Sequence, residues 1–335
     1  MQRRRAANLA RRAFQTAPCP MVSVGNLTTG GTGKTPAVQW LASALQNQGF
    51  TIGIAARGYG GQLSDSGALV SDGKTTFLSA KEAGDEATLH ARNLSGAVVA
   101  IAKNRELAVQ LCVQNGAEIV ILDDGFQFWS LPRAFDLVLL DAQKPFGNGH
   151  LLPQGRLREE PAALSRASAI LLTRCDRASN EEIEDSVCEI EKWTSAPVFA
   201  SNHAPRDLRN EKSGEILPLG FLERRDIKAF AGLADNAQFY RALQKLGAGR
   251  LTKLRRERGD HHVWKPSDFL WFEDAPAINA HHAEIFAALP VVTSEKDAVK
   301  LDARWFGGPL YSLRIALEMA EETELLRIIS EELKP

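Results

Sequence analysis

The chain has 335 residues, 44% of them hydrophobic and 24% charged, and 40 Lys+Arg against 41 Asp+Glu leave a formal charge of −1. These proportions exclude a mainly disordered chain, a collagen-like fibre and a disulfide scaffold, and the balanced charge supplies no basic field for nucleic acid. At roughly 100–200 residues per domain, the length holds about two domains.

Residues 1–20 form a basic N-terminal segment with arginines at 3, 4, 5, 11 and 12. It lacks the apolar run of a secretory signal and suits either an anionic membrane surface or a solvated helix. Residues 21–24 read as a buried strand, 36–48 as a helix stopped by Gly49, and 51–55 as the next strand. Residues 98–101, 119–122, 137–140 and 169–172 follow as short Val/Ile/Leu-rich runs with little polar alternation, the mark of strands covered on both faces. Helices are expected between them at 106–115 and 181–194. This alternation predicts an α/β fold, a doubly wound and mostly parallel sheet over residues 21–203. Turn residues punctuate the stretch 202–223, as in a hinge or hairpin, and the hinge is placed at 204–224. Strands at 227–230 and 291–293 and helices at 236–246 and 321–333 then compose a second, smaller α/β domain over 225–335. The four cysteines, Cys19, Cys112, Cys175 and Cys188, form no C-x-x-C pair and point to a reducing compartment. No uncharged apolar run approaches the roughly 20 residues that cross a bilayer.

The strongest local feature runs from Gly25 to Pro36, after the first strand and at the start of a helix. Its glycines let backbone N–H groups turn inward, and the helix N-terminus adds partial positive charge, so the loop is built to hold phosphate oxygens. Asn26, Thr28, Thr29, Gly30, Gly31, Thr32, Gly33, Lys34, Thr35 and Pro36 are the candidate nucleotide-binding residues. Lys34 is expected to reach the β- and γ-phosphates of ATP and the Thr35 hydroxyl to bind Mg²⁺. Thr28 stands where the first glycine of G-x-x-x-x-G-K-[ST] belongs, so Gly30 and Gly31 are expected to carry the turn. A second element is Glu118 followed by the apolar run 119–122 ending in Asp123 and Asp124, which places acids for a metal at a strand's carboxyl end. Which of the two carboxylates touches the metal is open.

Several segments together resemble one family. They are Val24-Gly25-Asn26-Leu27 with Gly30-Gly31-Thr32-Gly33-Lys34-Thr35-Pro36, Arg57-Gly58-Tyr59-Gly60, Gly84-Asp85-Glu86, Asp123-Asp124-Gly125-Phe126-Gln127, Phe146-Gly147-Asn148-Gly149, Leu151-Leu152-Pro153, Leu157-Arg158-Glu159, Phe230-Ala231-Gly232, Asp260-His261-His262 and Thr293-Ser294-Glu295-Lys296-Asp297-Ala298. In this order they resemble the tetraacyldisaccharide 4′-kinases of lipid A biosynthesis, from about residue 20 to about 300. The resemblance implies ATP-dependent phosphorylation of the 4′-hydroxyl of tetraacyldisaccharide 1-phosphate to give lipid IV-A. It also implies a P-loop core, a smaller C-terminal domain and a two-stranded hinge. The implied partners are an acylated disaccharide lipid and the cytoplasmic face of the inner membrane, met peripherally.

A sugar hydroxyl needs a proton acceptor as well as positioning and charge neutralisation. The resemblance makes Asp85 that base and pairs it with His261. On residues alone, Gly84-Asp85-Glu86 also suits the start of a helix. Arg105 and Arg158 are candidates to stabilise the transferring phosphate, and Arg57, Tyr59, Glu86 and Gln127 to meet substrate. Two rival readings stand beside the lipid kinase: a soluble P-loop NTPase acting as a switch or maturation factor, and a kinase for a soluble small alcohol.

Overall fold

The computed structural model describes residues 18–232, 236–256, 269–271 and 288–334. These fall into two compact units, one up to His203 together with the residues from Leu317 onward, the other Ala204–Ala316.

The first unit is built on eight strands, β1 (Met21–Asn26), β2 (Ile52–Ala56), β3 (Ala68–Asp72), β4 (Val98–Ile101), β5 (Ile119–Asp123), β6 (Phe135–Asp141), β7 (Ala169–Thr173) and β8 (Val198–Ala200), in the order β3-β4-β2-β5-β1-β6-β7-β8. All neighbours are parallel except β3, which pairs antiparallel with β4 through a register shift at Leu69/Ser71. Every residue of β1, β2, β4 and β5 is buried. That explains their unbroken apolar sequences, because crossover helices cover both faces of such a sheet. The helix Lys34–Asn47 turns Ala37, Val38, Leu41, Ala42 and Leu45 onto one face of it.

The order of strands reverses at β1. The chain runs to β2, β4 and β5 on one side, then crosses to β6, β7 and β8 on the other. Loops leaving β1 and β5 therefore meet at the carboxyl edge of the sheet, where ligands bind open α/β folds.

One domain boundary differs from the sequence expectation. The sequence places the terminal helix, Glu322–Glu332, in the smaller domain, yet Leu325, Ile329 and Leu333 join the buried cluster of Val38, Leu41 and Ile54 in the first unit. Trp40 Nε1 also donates to Glu322 Oε1 at 3.0 Å. An amphipathic helix is legible from its own sequence, but the face that receives it is not.

The second unit has seven strands, β9 (Asn202–Asn210), β10 (Ile216–Leu217), β11 (Ile227–Phe230), β12 (Leu251–Arg256), β13 (Phe269–Trp271), β14 (Val291–Ser294) and β15 (Leu310–Glu318), in the order β10-β9-β15-β14-β11-β12-β13. The turn-rich stretch after residue 202 is a hairpin, with β9 and β10 antiparallel. The parallel strands β11, β14 and β15 sit at its centre. Phe239 and Leu243 of the helix Asn236–Lys245 pack on Ala229, Val292 and Tyr311. No helix among the described residues is long and apolar enough to cross a membrane.

Candidate active site

The loop after β1 ends in a helix whose first turn is open. Gly33 precedes Lys34–Asn47 with φ 81°, no side chain caps the helix, and no acid lies in its first turn. The first intrahelical bond is Ala37 N–H to Gly33 O at 3.2 Å. The N–H groups of Lys34 and Thr35 thus face outward with the positive end of the helix dipole, and phosphate oxygens fit there. Within the loop, Asn26 Nδ2 donates to Thr32 Oγ1 at 2.7 Å, and Lys34 Nζ donates to Asn26 Oδ1 at 3.3 Å.

Residues 156–158 brace the outer side of the loop. Thr29 N–H donates to Arg156 O at 2.8 Å and Arg158 N–H to Leu27 O at 2.7 Å, with Thr28 bridged to Leu157. On the other side, Arg174 donates through Nη1 to Asp141 Oδ2 at 2.9 Å and through Nη2 to the Gly31 carbonyl. The His203 ring lies against Gly33, where an added Cβ would stand 2.0 Å from its Cε1. Burial, followed by the charges of Arg174 and Arg177, pushes the His203 imidazole down to about 4, with Asp141 opposing.

The two acids at the end of β5 face different partners. Asp124, at φ 56°, takes Arg158 Nη1 on both carboxylate oxygens at 2.9 and 2.7 Å, and Lys34 Nζ lies 3.4 Å from its Oδ1. Gln127 joins this group, accepting from Arg158 at 3.2 Å and donating to the Asn26 carbonyl at 2.8 Å. Asp123 is 4% exposed and lies 3.3 Å from Nε2 of His90 through its Oδ2. Burial alone would raise the Asp123 carboxyl, but the His90 contact, Lys34 and Arg105 outweigh it and hold the group below the usual carboxylate range.

His90 belongs to the helix Asp85–Asn93, so the candidate base opens the helix that reaches Asp123. Gly84 ahead of it has φ 86°, and a Cβ there would meet the Tyr59 carbonyl at 2.6 Å. The loop of Arg57 and Tyr59 therefore lies directly beside the start of this helix. Asp85 is the first helical residue, and Gly84 occupies the cap position. Arg105 is buried and donates to the carbonyls of Ala102 at 3.3 Å and Asp123 at 2.9 Å. Burial pulls its guanidinium below the ordinary value. Asp123 and Asp124 oppose that, Arg57 adds to it and Glu86 opposes it, so all five groups share one electrostatic neighbourhood.

The structure thus brings together Asn26, the loop 28–36, Asp123, Asp124, Gln127 and Arg158, with the helix of Asp85 and Glu86 and the loop of Arg57 and Tyr59 alongside. Arg105 directs its named bonds to main-chain carbonyls and fixes the end of β5. His261 lies outside the described residues. His90, Asp141, Arg174 and His203 carry no motif that singles them out in the sequence. His90 falls four residues after Glu86 on one helical face, but its partner is 33 positions away, and only the sheet shows that pairing.

A carboxylate oxygen and a hydroxyl are hard donors suited to Mg²⁺, which retains waters and phosphate oxygens rather than an all-protein cage. Thr35, in the open first turn, and Asp123, at the neighbouring strand end, fit that role. Asp124 is already engaged by two cations.

The sequence profile of the family described as tetraacyldisaccharide-1-P 4′-kinase matches residues 1–334. The chain is 38% identical over 316 residues to the tetraacyldisaccharide 4′-kinase of Desulfatibacillum aliphaticivorans, covering 91% of this chain and 81% of that one. It is 40% identical over 314 residues to the enzyme of that name from Anaeromyxobacter dehalogenans strain 2CP-C, covering 92% and 80%. The crystal structure of the "apo" form of LpxK from Aquifex aeolicus in complex with ATP superposes with a TM-score of 0.77 at 29% identity, over 99% of this chain and 94% of that one. With a phosphate loop, paired acids and a sheet edge arranged as described, and with matches along its whole length, the chain belongs to the tetraacyldisaccharide-1-P 4′-kinase family.

Proposed function

We propose that the protein transfers the γ-phosphoryl group of ATP to the 4′-hydroxyl of tetraacyldisaccharide 1-phosphate, giving lipid IV-A and ADP. The observation that carries this reading is the junction at the carboxyl edge of the sheet. Lys34, Asp124 and Arg158 form one charged group there, and Asp123 is tied through His90 to the helix that begins with Asp85. A regulatory NTPase has no use for a hydroxyl-activating base beside its phosphate loop.

In this mechanism the N–H groups after Gly33 and the Lys34 ammonium hold the phosphate chain. Mg²⁺, when bound, would supply neutralisation of phosphate charge. Asp123 and Thr35 are assigned to hold it. Arg158 lies close enough to Lys34 and Asp124 to exchange its carboxylate partner for the transferring phosphate, which its planar fork matches better than an ammonium would. Asp85 takes the proton of the 4′-hydroxyl as the new P–O bond forms and the bond to ADP breaks. His261 is assigned as its partner, and Glu86, Arg57, Tyr59 and Gln127 to the acceptor side. The acceptor is a lipid, so the protein works at the cytoplasmic face of the inner membrane, and the basic residues near its N-terminus favour an anionic surface.

The test is incubation of the wild type and Asp85→Ala with radiolabelled ATP and tetraacyldisaccharide 1-phosphate. Labelled lipid from the wild type and near loss in the variant are expected. ATP turnover without lipid product would favour the NTPase switch.

A further inference from the structure

The segment between β6 and the brace 156–158 has an unusual composition. From Ala142 to Arg158 it contains no Asp or Glu, and it carries Lys144, Arg156 and Arg158 with His150. Its tip, residues 148–154, is exposed throughout and presents two adjacent leucines, Leu151 at 38% and Leu152 at 52% exposure. Single exposed leucines are ordinary on a soluble surface. This pair is different because the backbone holds it outward. Leu152 N–H donates to Leu157 O at 2.9 Å, Gly155 N–H to Leu151 O at 3.0 Å and Leu157 N–H to His150 O at 3.0 Å. Below the tip, Phe146 and Leu157 are buried in one cluster with Leu27 and Phe126, so the base of the loop is part of the core. Leu157 also bridges Thr28, which fastens the exposed leucines to the phosphate loop.

We propose that this loop is a membrane-docking element: Leu151 and Leu152 enter the boundary between headgroups and acyl chains of an anionic bilayer, while exposed Lys144 and Arg156 meet the headgroup phosphates. The assignment rests on the proposed lipid acceptor, whose acyl chains lie in that bilayer. Charge complementarity and attachment to the site select this occupant. An apolar tip on a basic segment that itself carries no acid matches an anionic interface. A loop bonded to Thr28 brings that interface to the edge where phosphate is transferred.

The test uses vesicles of phosphatidylethanolamine with phosphatidylglycerol, and neutral phosphatidylcholine vesicles as control. The Leu151→Ser/Leu152→Ser double variant should partition onto anionic vesicles about tenfold less than the wild type, and wild-type binding should fall with salt and with neutral lipid. In a Leu152→Trp variant, the emission difference from the wild type should shift to the blue on anionic vesicles and be quenched by brominated lipid. The double variant should phosphorylate substrate in detergent micelles at the wild-type rate and lose rate on vesicles. Equal partitioning of wild type and double variant, or an indole signal from Leu152→Trp unmoved by vesicles, would overturn the proposal. The introduced indole reports the loop directly, so an unstable double variant leaves the test intact. Absence of lipid product from the wild type in micelles would instead overturn the proposed function and leave the vesicle result standing.

Discussion

Replacing Gly33 by alanine should unsettle the phosphate loop in two separable ways. The first is the backbone: φ is 81°, where an L-residue costs about 1–2 kcal/mol. The second is steric: the new Cβ would lie 2.0 Å from Cε1 and 2.2 Å from Nε2 of His203, and overpacking of this kind costs about 1–3 kcal/mol. Together these give about 2–5 kcal/mol, a fall of about 5–15 °C in the unfolding midpoint of a unit this size. Gly49→Ala is the control for the first effect, since its φ is 96° and nothing lies within 4 Å of the added carbon. His203→Ala combined with Gly33→Ala should recover the steric part alone. Thermal unfolding of the full chain gives the stabilities, and titration calorimetry gives ATP affinity, which should fall for Gly33→Ala and not for Gly49→Ala. A Gly33→Ala protein as stable as Gly49→Ala, binding ATP like the wild type, would refute the reasoning.

Asp85→Ala should lower the transfer rate about 10²–10⁴-fold while leaving ATP affinity nearly unchanged, as read by single-turnover kinetics beside calorimetry. Arg158→Lys keeps the charge but loses the planar guanidinium, whose Nη1 alone reaches both oxygens of Asp124 and whose other N–H groups suit a multi-oxygen phosphate, so it should show much of the Arg158→Ala deficit in kcat; full retention of wild-type kcat would remove Arg158 from the assigned role. The imidazole of His203 is held down at about 4, so between about pH 6.5 and 4 the unfolded chain binds the extra proton. Stability from this group is present above that window and lost as pH falls through it, by up to about 3 kcal/mol. Denaturant midpoints of His203→Ala should show a correspondingly shallower decline over that range. Leu325→Ala should destabilise the ATP-binding unit by about 2–5 kcal/mol, because Leu325 is fully buried in its core, and an ATP-sensitive unfolding transition should move to lower temperature.

The α/β class, the main parallel strands, the phosphate loop and the paired acids are all legible in the order of the residues. Each is a local pattern: β1, β2, β4 and β5 are buried on both faces and so read as continuous apolar runs, and the loop 25–36 needs its glycines and lysine in consecutive order. The edge strand β3 is not legible in the same way, because it is only partly buried and lies antiparallel with a register shift, so its residues carry a weaker apolar signal. Folding in three dimensions was needed to choose which partner each acid takes. Lys34 and Arg158 go to Asp124, and His90 goes to Asp123, across separations that no local pattern encodes. It also set the terminal helix beside the phosphate-loop helix, through Trp40 and Glu322 at 282 positions apart, because apolar faces pair by shape and not by order along the chain.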